Sequence, residues 1–139
     1  MMGAYDLLDE KSDLQLNYAQ FLQQLPYYYE LDTFYLVHAG FNFKAGNPFN
    51  DYTSMVWIRN FQDNPTPKTI VHGHQVKELN EIENKVERRN SIIPLDNGCY
   101  YGLSHSREDI NAQFRKRVGN LCGLNLDTFE LIIQENVDQ

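Results

Sequence analysis

The sequence predicts a mixed, β-rich α/β domain. Three observations predict it. Nine Tyr and eight Phe against one Trp give an aromatic-rich chain of the kind found in sheets. Only one segment near the start shows clear helical spacing of apolar residues, and short apolar runs bounded by turn residues follow it. No internal repeat, low-complexity tract or linker divides the 139 residues, so they are expected to form a single domain spanning 1–139.

Residues 13–25 set Leu14, Tyr18, Phe21, Leu22 and Leu25 on one helical face, with Ser12 or Asp13 as the cap and Pro26 as the stop. Tyr27–Leu31 and Phe34–Val37 flank Asp32-Thr33 and predict a hairpin. Its second strand runs into His38-Ala39-Gly40. The Asn-, Gly- and Pro-bearing stretch Phe41–Tyr52 predicts a surface loop, and Ser54–Phe61 a short helix ended before Pro65 and Pro67. Thr69–His72 predicts a buried strand opening onto Gly73-His74. Residues 77–90 are highly charged and are expected to be a solvated edge hairpin. Ser91–Leu95 predicts a further strand, and Asp96-Asn97-Gly98 a turn closed by its own side chains. A polar stretch, 103–118, looks like an insertion. Gly119–Asn125 and Phe129–Gln134 form a last hairpin about Asp127-Thr128.

Composition excludes several classes. A net charge of −7 leaves no basic excess to displace counterions from nucleic acid or to bind an anionic membrane surface. A phosphorylated substrate remains compatible where metal ions supply local positive charge. Cys99 and Cys122 form no C-x-x-C pair and fit two reduced thiols. No stretch has the length of a membrane span and the start has no signal-peptide shape, so a cytoplasmic protein is expected.

Four histidines carry most of the possible chemistry: His38, His72, His74 and His105. His38 and His74 each sit where an apolar strand gives way to a glycine-containing turn, which suits metal ligands and equally suits structural hydrogen-bonders. His72 and His74 are two apart and share a face if the strand continues, whereas a break at Gly73 would turn only one inward. Arg59, in Trp57-Ile58-Arg59, offers a planar fork for two phosphate oxygens, or a surface side chain packed on Trp57. Glu78, Glu81, Glu83 and Glu87 read as a solvated face. Arg107, Arg115, Lys116 and Arg117 are diluted by Glu108 and Asp109.

Taken in order, these pieces resemble the C-terminal part of the calcineurin-like metallophosphoesterase family, in its branch of bacterial serine/threonine protein phosphatases and symmetrical diadenosine tetraphosphatases. The matching elements are Leu25-Pro26, Tyr35–Gly40, Trp57-Ile58-Arg59, Ile70–His74, Leu95–Cys99 and Leu121–Asp127. The resemblance implies part of a two-sheet sandwich flanked by helices. It implies that His38 and His74 are ligands of the second of two divalent metals (Mn, Fe or Zn), that Arg59 holds the phosphate, and that His72 has no ligand role. Neutral imidazoles bind first-row metals, the ions activate a water for attack on phosphorus, and arginine neutralises the equatorial oxygens. A phosphorylated protein or nucleotide is the implied substrate.

The family's N-terminal metal motifs have no counterpart in this sequence. No Asp is followed two places later by His, no Gly-Asp occurs, and Gly46-Asn47 and Gly119-Asn120 are followed by Pro48 and Leu121. Asn97 stands where the family usually has threonine, and Gln75 follows the glycine-histidine pair. The expectation is therefore an incomplete, inactive fragment, without the N-terminal metal-binding half, that binds at most one ion weakly and self-associates through exposed sheet surface. The alternative is a non-catalytic interaction module, a degenerate relic of the same fold.

Overall fold

The computed structural model describes residues 13–101 and 118–136. They form a mixed α/β structure with two sheets, one of four strands and one of three. Helix α1 (Asp13–Gln24) ends just before Pro26, as the sequence predicts. Its apolar side chains Tyr18, Phe21 and Leu22, and Leu25 just beyond it, are all exposed. The expected cap Ser12 and the insertion 103–118, Val118 apart, lie outside the described residues.

Strands β1 (Tyr28–Glu30) and β2 (Phe34–Val37) make the predicted hairpin, with Tyr29 opposite Leu36. Lys68 Nζ fastens its turn, donating to Glu30 Oε1 at 2.8 Å and to the Leu31 carbonyl at 2.6 Å. A 3-10 turn (Pro48–Asn50) and helix α2 (Tyr52–Trp57) follow. The α2 cap is Asp51, whose carboxylate accepts from the Ser54 amide and hydroxyl. These bonds hold the Asp51 carboxyl below its usual range. The helix is shorter than the predicted Ser54–Phe61 because Ile58 turns extended, at ψ 139°.

Strand β3 (Thr69–His72) pairs in parallel with β2 on one side and with β4 (Ile92–Pro94) on the other, giving the order β1-β2-β3-β4. Parallel neighbours cannot be joined by a tight turn, so the chain must cross over between them. This corrects the edge hairpin expected over 77–90. Residues Leu79–Glu87 form helix α3, with Ile82 and Val86 one turn apart and both buried against the sheet. Two apolar anchors at i and i+4 suffice to dock it, while exposed Glu87 and Arg88 remain on the water side.

Both faces of the four-stranded sheet are covered. On one, Tyr35, Val37 and Ile70 pack with Met55 of α2 and with Phe41. On the other, Phe34, Val71 and Ile93 pack with Ile82 and Val86, and behind them lies the second sheet. That sheet orders β5 (Asp96–Asn97), β6 (Asn120–Asn125) and β7 (Glu130–Glu135) antiparallel, with Cys122 opposite Ile133. Its inner face turns Cys122, Leu124 and Leu131 to the core, and Leu121 and Ile132 lie exposed on its outer face. Among the described residues no helix is long and apolar enough to cross a membrane.

Candidate functional site

The site forms where β2 and β3 end side by side. Parallel pairing brings Val37 opposite His72, so the segments leaving both strands emerge together. Gly73 N–H donates to the His38 carbonyl at 2.9 Å and ties the two exits. One residue further on, His74 takes φ 65°, a left-handed conformation uncommon without glycine. That bend breaks the strand alternation, so His72 and His74 do not act as a same-face pair. The ring of His74 meets His38 instead. His38 Nε2 and His74 Nδ1 lie 3.1 Å apart, with the ring planes inclined at 59°.

His38 is exposed at the mouth of the site, while His74 Nε2 is buried and has no hydrogen-bond partner among the described residues. Burial is the first cause that lowers the His74 pKa, followed by the neighbouring His38 and Arg59. Arg59 therefore lies within electrostatic reach of the pair. Trp57 turns its ring edge-on to His74, with centroids 5.9 Å apart. The exposed Arg59 borders a cleft of about 290 Å³ shared with Asn42, Lys44 and Asn60.

His72 has a structural place. It is 6 % exposed, its Nδ1 contacts the Gly73 carbonyl at 3.0 Å, and Phe61 packs edge-on to its ring. Burial pushes its pKa down to about 4. The ring is thus held neutral in the fold, whereas the unfolded chain binds a proton below the usual value near 6.5. Stability is complete above that value and falls as the pH drops towards 4, by up to about 3 kcal/mol. Urea midpoints of the metal-free chain, measured in chelator across this range, should fall accordingly. A His72→Asn variant should lose most of this slope; an unchanged slope would assign the acid sensitivity to other groups.

Gly40 closes the floor of the site. It sits at φ 148°, and a Cβ there would lie 2.3 Å from the Phe61 ring. Phe61 therefore wedges between Gly40 and His72. Asp96 Oδ1 accepts from Gly98 N–H at 2.8 Å, as a local turn requires. The expected turn over Asp96-Asn97-Gly98 is otherwise corrected: Asp96–Asn97 pairs as strand β5, and the Asn97 side chain bonds Lys77 and Asn120 instead of its own backbone. Sequence reasoning missed Asn97, 1 % exposed, and the contact between Gln75 and Asn60. His105 and the basic cluster from Arg107 to Arg117 lie outside the described residues.

Metal–imidazole bonds of about 2.0–2.1 Å place two neighbouring ligand nitrogens about 2.9–3.4 Å apart. The observed 3.1 Å is a hydrogen-bond contact between the two rings, and it also lies within that range. Among the described residues no group of three or more His, Cys, Asp or Glu converges to hold a metal. No protein-family model, no curated protein and no solved structure matches the chain.

Proposed function

We propose that this chain is the C-terminal portion of a metallophosphoesterase sandwich of the protein-phosphatase type, and that by itself it is an incomplete and inactive part of that machinery. The observation that carries the reading is the convergence of His38 Nε2 and His74 Nδ1 to 3.1 Å beside Arg59. His38 and His74 would hold one divalent cation, with Mn, Fe or Zn as the ions suited to imidazole. When bound, such a cation supplies positive charge to phosphate oxygens and makes a water more acidic. The lowered basicity of His74 keeps its ring neutral near pH 7, the form a ligand needs. Arg59 would bind two oxygens of a phosphorylated protein or nucleotide through its planar fork. A cytoplasmic setting goes with this reading and is supported by the free thiols Cys99 and Cys122. Self-association would use the exposed outer face carrying Leu121 and Ile132.

The alternative is a non-catalytic interaction module of the same fold. One observation favours it: two histidines without a carboxylate hold a cation weakly, and no third ligand joins them among the described residues.

Calorimetric titration of the purified chain with Mn, beside His74→Ala, separates these readings. Weak binding of one ion is expected, lost in the variant, with little or no hydrolysis of an aryl phosphate. Binding that survives His74→Ala would overturn the metal assignment and favour the interaction module. Mn-dependent hydrolysis abolished by the variant would overturn the claim that the part is incomplete.

A further inference from the structure

We propose that Gln75 is a positioning residue that fixes Arg59 against the histidine pair, and does so by clasping Asn60. The proposal rests on the reading of Arg59 as the phosphate-holding group.

Arg59 needs outside help to be held. Its side chain is exposed and, among the described residues, makes no ion pair. What the fold fixes is the backbone from which that side chain starts. That backbone sits in a bend: Ile58 leaves α2 in an extended conformation, and Asn60 takes φ 59°. A left-handed asparagine is tolerated at a modest cost, which contacts from neighbours offset.

Gln75 supplies that constraint from the other side of the site. Its Oε1 accepts from the Asn60 backbone N–H at 3.1 Å, and its Nε2 donates to Asn60 Oδ1 at 3.3 Å. The two amides thus satisfy each other and grip the backbone of the residue next to Arg59. The main chain of Gln75 is equally committed, because its N–H donates to the Gly73 carbonyl at 2.7 Å across the left-handed His74. One residue therefore closes the bend that presents His74 and secures the bend that presents Arg59. Phe61, wedged against Gly40 and His72, anchors the far side of Asn60. The separation between the arginine and the histidines is held through side chains 15 residues apart in sequence.

The test uses the full chain with Mn present and inorganic phosphate as the probe, followed by phosphorus NMR. Gln75→Met keeps the length of the side chain and removes both hydrogen bonds. It is expected to weaken phosphate binding about tenfold, the effect of losing roughly one well-placed hydrogen bond. Mn affinity at His38 and His74 should stay within about twofold, since Gln75 contributes no ligand. The same change in an Arg59→Ala background should cost nothing further, because the residue acts through the arginine. Unchanged phosphate affinity in Gln75→Met would overturn the proposal while leaving the assignment of Arg59 intact. An equal loss in both backgrounds would also overturn it, showing that Gln75 does not work through Arg59. Phosphate affinity in the parent chain that Arg59→Ala leaves unaltered would overturn the arginine assignment itself, and the clasp with it.

Discussion

Replacing Phe41 by alanine is expected to destabilise the chain by about 3–5 kcal/mol, the range for emptying a fully buried aromatic site. Phe41 is 1 % exposed and lies at the centre of an aromatic cluster. Its ring meets Tyr28 and Tyr35 edge-on, at centroid distances of 5.5 and 5.7 Å, and Phe49 at 5.2 Å. Edge contacts of this kind add to the area term, so aliphatic replacement does not fully restore them. Phe41→Leu keeps most of the volume and should lose less than half as much. The position also bears on the site. Phe41 is three residues from His38, and Ala39 N–H is tied to the Met55 carbonyl at 2.8 Å within the same layer. Loosening that layer should therefore weaken Mn binding together with stability. Urea unfolding followed by Trp57 fluorescence measures the first effect and calorimetry the second. A loss below about 1 kcal/mol would mean that the cluster collapses around the vacancy without penalty.

The parts legible in sequence share a physical reason. Phe34–Val37 and Thr69–His72 are short apolar runs punctuated by polar turns, and such runs report burial directly, whichever strand becomes their neighbour. His38 and Arg59 could be singled out because their residue types are suited to chemistry and their flanks set boundaries. Helix α3 was hidden by its charges. Only Ile82 and Val86 of Leu79–Glu87 are fully buried, and two apolar positions four apart do not exclude alternation along a strand. What settles the helix is the parallel pairing of β3 with β4, a long-range fact. The Gln75–Asn60 clasp was hidden in the same way, since neither amide carries a local signal that names its distant partner. His72 and His74 show the limit of spacing arguments. A two-residue interval puts side chains on one face only while the strand lasts, and this strand ends at His72.

Asn97→Ala is the second large effect, expected at about 3–5 kcal/mol because it strands several buried polar groups at once. Asn97 Oδ1 accepts from Asn120 N–H at 3.0 Å and from Asn120 Nδ2 at 2.8 Å, while its own Nδ2 donates to the Lys77 carbonyl at 2.8 Å. The backbone works in parallel: Gly119 N–H donates to the Asn97 carbonyl, and Lys77 N–H to that of Asp96. This one side chain therefore joins the segment leaving Gln75 to the first strand of the three-stranded sheet. An alanine satisfies none of these partners, and at 1 % exposure water cannot readily replace it. Asn97→Thr puts one hydroxyl in place of the carboxamide and should fall between the parent chain and the alanine variant. The loss should be local before it is global. Hydrogen exchange is expected to show amides of β6 and β7 losing protection while those of β2 and β3 keep theirs. If instead both sheets lose protection together, the apolar layer of Phe34, Val71, Leu124 and Leu131 couples them without help from the amide. If stability falls by less than about 1 kcal/mol, the polar junction is dispensable. The expected pattern makes Asn97 the polar link that ties the segment after β3 to strands β5 and β6.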